Sequence, residues 1–220
     1  MLKIALDGPS GAGKSTLAKE IAKRLQITYL DTGALYRTIG FAVKKAGVDP
    51  ADRTAVAELL KSISVNVELE EMKQVVYLDG KPVGDEIRTP EMSMYASKVS
   101  AIPAVREFLL GTQRGFAEKY PVIMDGRDIG TVILPDADVK FFVTVKPEER
   151  ARRRLRELRE KGIDTTFEAV FADLVARDKA DSTRSIAPAV KADDAIELDN
   201  TGDFDEAVEK ALSIISERTK

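Results

Sequence analysis

Ten residues near the start of the chain, DGPSGAGKST at positions 7–16, bring three glycines, a lysine and a Ser-Thr pair together directly after the apolar run MLKIAL. Gly8, Pro9, Ser10, Gly11, Ala12, Gly13, Lys14 and Ser15 match G-x-x-x-x-G-K-[ST], and Thr16 carries the segment into a predicted helix. Glycines at this spacing let consecutive backbone N–H groups turn inward around phosphate oxygens, while the helix that follows presents its positive end. Lys14 is then placed to reach the β- and γ-phosphates, and the Ser15 hydroxyl to ligate Mg²⁺. The stretch predicts a nucleoside triphosphate site. It does not name the acceptor, because GTPases, ATP-driven motors and small-molecule kinases share such a loop. The guanine-reading motif N-K-x-D is absent, since the only asparagines, Asn66 and Asn200, are followed by Val67 and Thr201.

Three later segments supply charge. In DTGALYR (31–37), Tyr36 and Arg37 lie one turn into a predicted helix. In MDGRDIG (124–130), an apolar strand ends in Asp125, a position from which a carboxylate holds Mg²⁺ through its water shell, and Arg127 and Asp128 follow at once. In ARDKADSTR (176–184), Arg177, Asp181 and Arg184 stand at i, i+4 and i+7 and share a face if the helix runs that far. Taken singly, each is as readily a solvated helix charge or an exposed ion-pair ladder. Beside a phosphate-binding loop they read as fixed cations around a migrating phosphoryl group, because arginine keeps its proton and grips phosphate in a bidentate way. An acceptor that is itself a phosphate monoester is already ionised near neutral pH (second pKa about 6) and needs no strong general base. A kinase for a sugar or shikimate hydroxyl would use a carboxylate instead, and Asp128 could serve it; the residues alone leave both open.

Composition removes other chemistries. The 220 residues contain no cysteine and no histidine, so disulfides, thiolate nucleophiles, zinc-thiolate sites and imidazole bases are excluded. With 44% apolar and 32% charged residues, the chain is long enough for one compact domain with a real core. A net charge of -3 argues against a nucleic-acid coat or a polybasic membrane anchor. No signal peptide opens the sequence and no apolar run approaches about 18 residues. These features predict a cytoplasmic protein without nucleic-acid or membrane partners, and a monomer, since the transfer residues all lie in one chain.

The scaffold follows from periodicity. KIALDG (3–8) reads as a buried strand and STLAKEIAKRL (15–25) as a helix with Leu17, Ile21, Ala22 and Leu25 at helical spacing. ITYLD (27–31) predicts a second strand. ALYRTIGFAVKKAG predicts a helix burying Leu35, Ile39, Ala42, Val43 and Ala46 and stopped by Gly47, with a shorter helix at about 52–62. Over 63–84 the sequence alternates, turns β-rich, and carries Asp79-Gly80 as a two-residue turn signal, which predicts a small antiparallel meander. A helical stretch over about 90–118 leads to the strand PVIMDG, then to VKFFVTV (139–145), AIELDN (195–200) and a last helix over about 203–218. PEERARRRLRELREKG (147–162) has a stripe of Ala151, Leu155 and Leu158, and i, i+4 pairs such as Glu149–Arg153 and Arg153–Glu157. It is either a solvated face or a lid closing over ATP. Thr165-x-x-Glu168 then looks like a capping box for the next helix. Alternating strands and helices predict an α/β fold: a five-stranded parallel sheet covered on both faces, plus the antiparallel β insert, with ligands at the carboxyl ends of the strands.

Over nearly its full length the chain resembles bacterial cytidylate kinases, nucleoside monophosphate kinases with the P-loop kinase fold. The likeness is carried by LDGPSGAGKST, LDTGALYR, DEIRTPEM (85–92), ASKVSAIPAVRE (96–107), MDGRDIGTVILPDADVK (124–140) and RDKADSTRSIAP (177–188). The resemblance implies transfer of the γ-phosphoryl group of ATP to CMP or dCMP with Mg²⁺. It implies that Ser97, Arg106 and Asp128 read the cytosine edge and that Thr32, Tyr36, Arg37, Arg127 and Arg184 line the monophosphate pocket. Arg177 and Asp181 would meet the sugar, and Arg150 and Arg154 would belong to an ATP lid. Some family members carry Ser at the position of Thr32; either supplies a hydroxyl. The implied organisation is a single kinase chain with a core of 1–31, 119–147 and 186–220. An acceptor-binding region spans 32–118, with the insert at about 63–84, and a lid spans about 148–165.

Overall fold

Lys3–Asp7 forms β1, buried from Ile4 onward, and hands the chain through the glycine-rich loop to α1 (Lys14–Leu25). The computed structural model describes every residue except Met72, Lys161 and Lys220. These three fall in the expected insert, the expected lid and the expected core segment 186–220, and there those expectations lie outside the described residues. The chain continues as β2 (Thr28–Asp31), α2 (Thr32–Lys45), α3 (Arg53–Leu60), β3 (Val65–Glu70), β4 (Lys73–Leu78) and β5 (Lys81–Val83). Then follow α4 (Pro90–Val99), α5 (Pro103–Lys119), β6 (Val122–Gly126), β7 (Val139–Thr144), α6 (Pro147–Glu160), α7 (Phe167–Thr183), β8 (Ile196–Asp199) and α8 (Phe204–Arg218). A five-stranded parallel sheet has the order β2-β6-β1-β7-β8, and β3-β4-β5 form a separate antiparallel sheet. The α/β architecture with its small insert is therefore as the periodicity predicts. Among the described residues no helix is long and apolar enough to cross a membrane.

Backbone contacts divide the chain into two units, residues 28–122 with Met1, and residues 2–27 with 123–220. In the first, Leu35, Ile39 and Val43 of α2 share one core with Val56, Val76, Val99, Val105 and Leu109. α2 and α4 approach so closely that a Cβ on Gly40 would lie 2.8 Å from the Tyr95 Cβ. The Asp79-Gly80 turn has both residues left-handed, φ 51° and 73°, the geometry a tight hairpin requires. In the second unit, Ile4, Leu6, Leu17, Ile21, Phe141, Val143 and Leu198 are fully buried or nearly so, and α1 packs on α8. α6 and α7 close a small core of their own around Ala151, Val170 and Leu174, with Leu155 and Leu158 against it.

Four local expectations differ from the structure. The single helical stretch over 90–118 is two helices, because Pro103 has no N–H to continue α4 and starts α5 instead. Ala46 is exposed at the end of α2 rather than inward. The cap of α7 is Thr166, whose hydroxyl accepts from the Ala169 N–H at 3.2 Å, not Thr165. And α7 stops at Thr183, so Arg177 and Asp181 are helical while Arg184 stands just past the end in extended backbone.

Candidate active site

The glycine-rich loop is shaped by residues that only glycine tolerates. Gly11 and Gly13 are left-handed, at φ 72° and 77°, and Gly8 lies at φ 148°. A Cβ on Gly8 would sit 2.4 Å from the Val143 carbonyl oxygen, and one on Gly13 would sit 2.6 Å from Asn200 Nδ2. Asn200 in turn donates to the Ala12 carbonyl at 2.9 Å, fixing the loop from the end of β8. Lys14 is buried and donates to the Pro9 carbonyl at 2.7 Å. Burial, then the Arg127 charge, push its ammonium down to about 7, against the pull of Asp125 and Asp7. A buried cation raised on a helix N-terminus is matched to a polyanion. The Ser15 hydroxyl donates to Asp125 Oδ2 at 2.7 Å. A hydroxyl and a carboxylate held together are hard oxygen ligands of the kind Mg²⁺ takes alongside nucleotide phosphates. Both the triphosphate and Mg²⁺ therefore fit the residues present.

Asp7, at the end of β1, stands just before the first glycine of the phosphate-loop motif and is no part of it. Its Oδ1 accepts from the Ile129 N–H at 2.8 Å and its Oδ2 from the Gly130 N–H at 2.7 Å. These bonds tie the loop-bearing strand to a π turn, Ile129–Ile133, directly after Arg127 and Asp128. Burial outweighs both bonds and pushes the carboxyl up to about 6. The signal was available, since Asp7 closes an apolar strand as Asp125 does. Arg127 Nε then pairs with Asp181 Oδ2 at 3.2 Å and its Nη1 donates to the Gly126 carbonyl at 3.1 Å. Arg184 meets Asp128 Oδ1 at 3.4 Å and Asp181 Oδ1 at 3.9 Å. Asp128 and Asp181 are buried, so this is no exposed ladder: two buried carboxylates meet two half-buried guanidiniums. Arg177 contributes to the depression of Lys14.

The arginine-rich helix α6 divides. Arg150 is buried, donates to the Ser10 carbonyl at 2.9 Å and pairs with Asp178 Oδ2 at 2.6 Å. Asp178 Oδ1 also accepts from the Ser10 N–H at 3.3 Å. Arg153 reaches the Asn200 and Thr201 carbonyls at 2.9 and 3.3 Å. Arg154 pairs with Glu157 on its own helix at 3.0 Å. Arg150 is thus brought to the glycine-rich loop and Arg154 is not; Asp178 and Arg153 join it, unsignalled because their partners come from other elements.

In the unit of residues 28–122, Asp31 caps α2, accepting from the Ala34 N–H at 3.1 Å, and pairs with Arg37 Nη2 at 2.7 Å. Arg37 Nε is buried without a hydrogen-bond partner, an N–H suited to an incoming acceptor oxygen. Thr32 is buried in the first turn of α2. The Arg106 guanidinium lies over the Tyr36 ring, 5.5 Å from its centroid, and donates to the Ser100 carbonyl at 3.2 Å. Ser97 is half-buried on α4.

A family profile described as cytidylate kinase matches residues 4–217. The chain belongs to the cytidylate kinase family. It is 47% identical over 219 residues to the cytidylate kinase of Fervidobacterium nodosum, covering 99% of this chain and 98% of that one. It is 46% identical to the cytidylate kinase of Clostridioides difficile, covering 98% of each. Among solved structures, an uncharacterized protein from Eubacterium ventriosum superposes with a TM-score of 0.51 over 98% of this chain and 99% of that one; at 14% identity this likeness speaks to the fold alone. Membership of the family makes the chain a kinase that transfers a phosphoryl group to a nucleoside monophosphate.

Proposed function

We propose that the protein transfers the γ-phosphoryl group of ATP to CMP or dCMP, giving ADP and CDP or dCDP, with clamped arginines rather than a strong base at the reacting centre. The observation that carries this reading is the Arg127–Asp181–Arg184–Asp128 network around two buried carboxylates, in the same unit as the loop around Lys14. Asp128 is paired to the Arg184 guanidinium at 3.4 Å, which orients it for recognition. An acceptor phosphate oxygen, already anionic, attacks the γ-phosphorus as the bond to the β-phosphate oxygen breaks, and no proton has to be removed. Arg127 and Arg184 neutralise charge on the migrating group, and Arg37 neutralises charge on the acceptor phosphate, which Thr32 and Tyr36 also serve. Ser97, Arg106 and Asp128 read the base, and Arg177 and Asp181 take the sugar. Gly8 to Thr16 and Arg150 hold ATP, within a lid of residues 148–165. Ser15 and Asp125 would hold Mg²⁺, which supplies neutralisation of the donor phosphates. Every residue invoked lies in one chain, so a monomer is part of the same reading.

A coupled assay of ADP release with CMP, dCMP, UMP, AMP, shikimate and gluconate tests it. CMP and dCMP are expected to accelerate ATP consumption strongly, UMP more weakly, and Lys14→Ala to abolish the effect. Uracil lacks the exocyclic amine that a carboxylate accepts from, and an unmatched buried group costs about 1–3 kcal/mol. Asp128→Ala is therefore expected to narrow the CMP-over-UMP ratio. ATP consumption indifferent to CMP, or faster with shikimate or gluconate, would overturn the proposal.

A further inference from the structure

The antiparallel insert meets the parallel sheet's edge at the side chain of Gln74. β2 is the outermost strand of its sheet, so the outward N–H and C=O of its last residue, Asp31, have no neighbouring strand to pair with. Gln74, on β4, supplies both missing partners. Its Oε1 accepts from the Asp31 N–H at 2.7 Å and its Nε2 donates to the Asp31 carbonyl at 3.2 Å. The carboxamide acts as a peptide group from a strand that is not there. The same Asp31 carries both side-chain bonds described above, to the Ala34 N–H at the start of α2 and to Arg37. Space around it is tight, since a Cβ on Gly33 would lie 3.0 Å from both Asp31 Oδ1 and Arg37 Nη1.

We infer that Gln74 is a positioning residue for acceptor binding: by holding the Asp31 backbone from two sides it sets the carboxylate that orients Arg37. Resting on the function proposed above, this gives the insert a role in gripping the acceptor's phosphate and none in gripping ATP. A carboxamide suits both bonds, because the Asp31 N–H and C=O demand one acceptor and one donor side by side.

Wild type, Gln74→Met and Gln74→Glu are compared by steady-state kinetics with CMP and with MgATP as the varied substrate, alongside thermal melts, with Lys73→Ala, an exposed neighbour on β4, as control. Gln74→Met is expected to raise KM for CMP about tenfold, leaving KM for ATP within about twofold. Gln74→Glu is expected to be worse at pH 8, where a second carboxylate oxygen faces the Asp31 carbonyl. It should recover relative to wild type as the pH falls towards about 4.5, near the ordinary glutamate value, and the carboxyl regains a proton to donate. KM for CMP unchanged in both folded variants would overturn the inference, as would KM for ATP rising in step with it. Failure of both variants to fold while Lys73→Ala folds would assign Gln74 to stability alone, and also overturn it. A wild type that does not use CMP would overturn the proposed function and this inference together; a wild type that does, beside unaffected variants, sinks only the inference.

Discussion

Replacing Asp7 by asparagine is expected to make the protein gain stability relative to wild type as the pH rises, and to make it a poorer enzyme. The carboxyl titrates near 6 in the folded chain, pushed up from 3.8 chiefly by burial. A group raised in this way favours the fold below its unfolded pKa, and that contribution is lost as the pH climbs through the folded value. At about 1.4 kcal/mol per pH unit, ionised Asp7 costs the folded state about 3 kcal/mol at pH 8. Asparagine does not titrate; it keeps one acceptor for the Ile129 N–H but sets a donor against the Gly130 N–H, a pH-independent cost of about 1–3 kcal/mol. The stability of the variant relative to wild type should therefore rise by about 3 kcal/mol between about pH 4 and pH 8. Urea unfolding followed by far-ultraviolet circular dichroism across this range measures it, and other carboxylates cancel in the difference. Activity should move the opposite way, with kcat at pH 8 falling, because the turn after Arg127 and Asp128 loses the ion that anchors two of its amides. A stability difference that does not change with pH, or one that turns against the variant as pH rises, would refute the argument.

Two further outcomes follow from the same loop. Lys14 titrates near 7, so at pH 8 most of it is neutral until phosphate charge draws a proton on. ATP binding at pH 8 should take up close to one proton, seen by calorimetry in buffers of different ionisation enthalpy; Lys14→Met should abolish the uptake, and equal uptake in both would contradict the assignment. Gly8→Ala drives a Cβ to 2.4 Å from a main-chain oxygen that cannot swing away. It should cost about 3 kcal/mol or more in urea unfolding, whereas Gly115→Ala, with open space around it, should be neutral or mildly stabilising.

Much of the site was legible because its determinants are local. The phosphate loop needs glycines, lysine and serine within eight residues, and a strand before with a helix after, all of which a short window displays. Asp125 and Arg127 were readable for the same reason, as the end of an apolar strand. The insert announced itself through alternation and Asp79-Gly80, whose left-handed pair is a property of the residues. Where a boundary was missed, the competing signal was equally local: Pro103 breaks a helix that amphipathic spacing alone would continue.

What no window could display is which charges leave water and which partners they meet. Arg150 and Arg154 stand four apart on one helix, yet one is buried against Ser10 and Asp178 and the other pairs with Glu157 at the surface. Asp7, Asp178, Gln74 and Asn200 act through main-chain groups far away in sequence, and a backbone N–H or C=O carries no residue-type signature. The sequence by itself determined the α/β fold, the phosphate loop and the stock of arginines, because periodicity and glycine chemistry act over a few residues. The tertiary structure alone decided which of those arginines are caged by carboxylates and which carboxyl is held near neutral, because burial and distance are set by elements that meet only once the chain has folded.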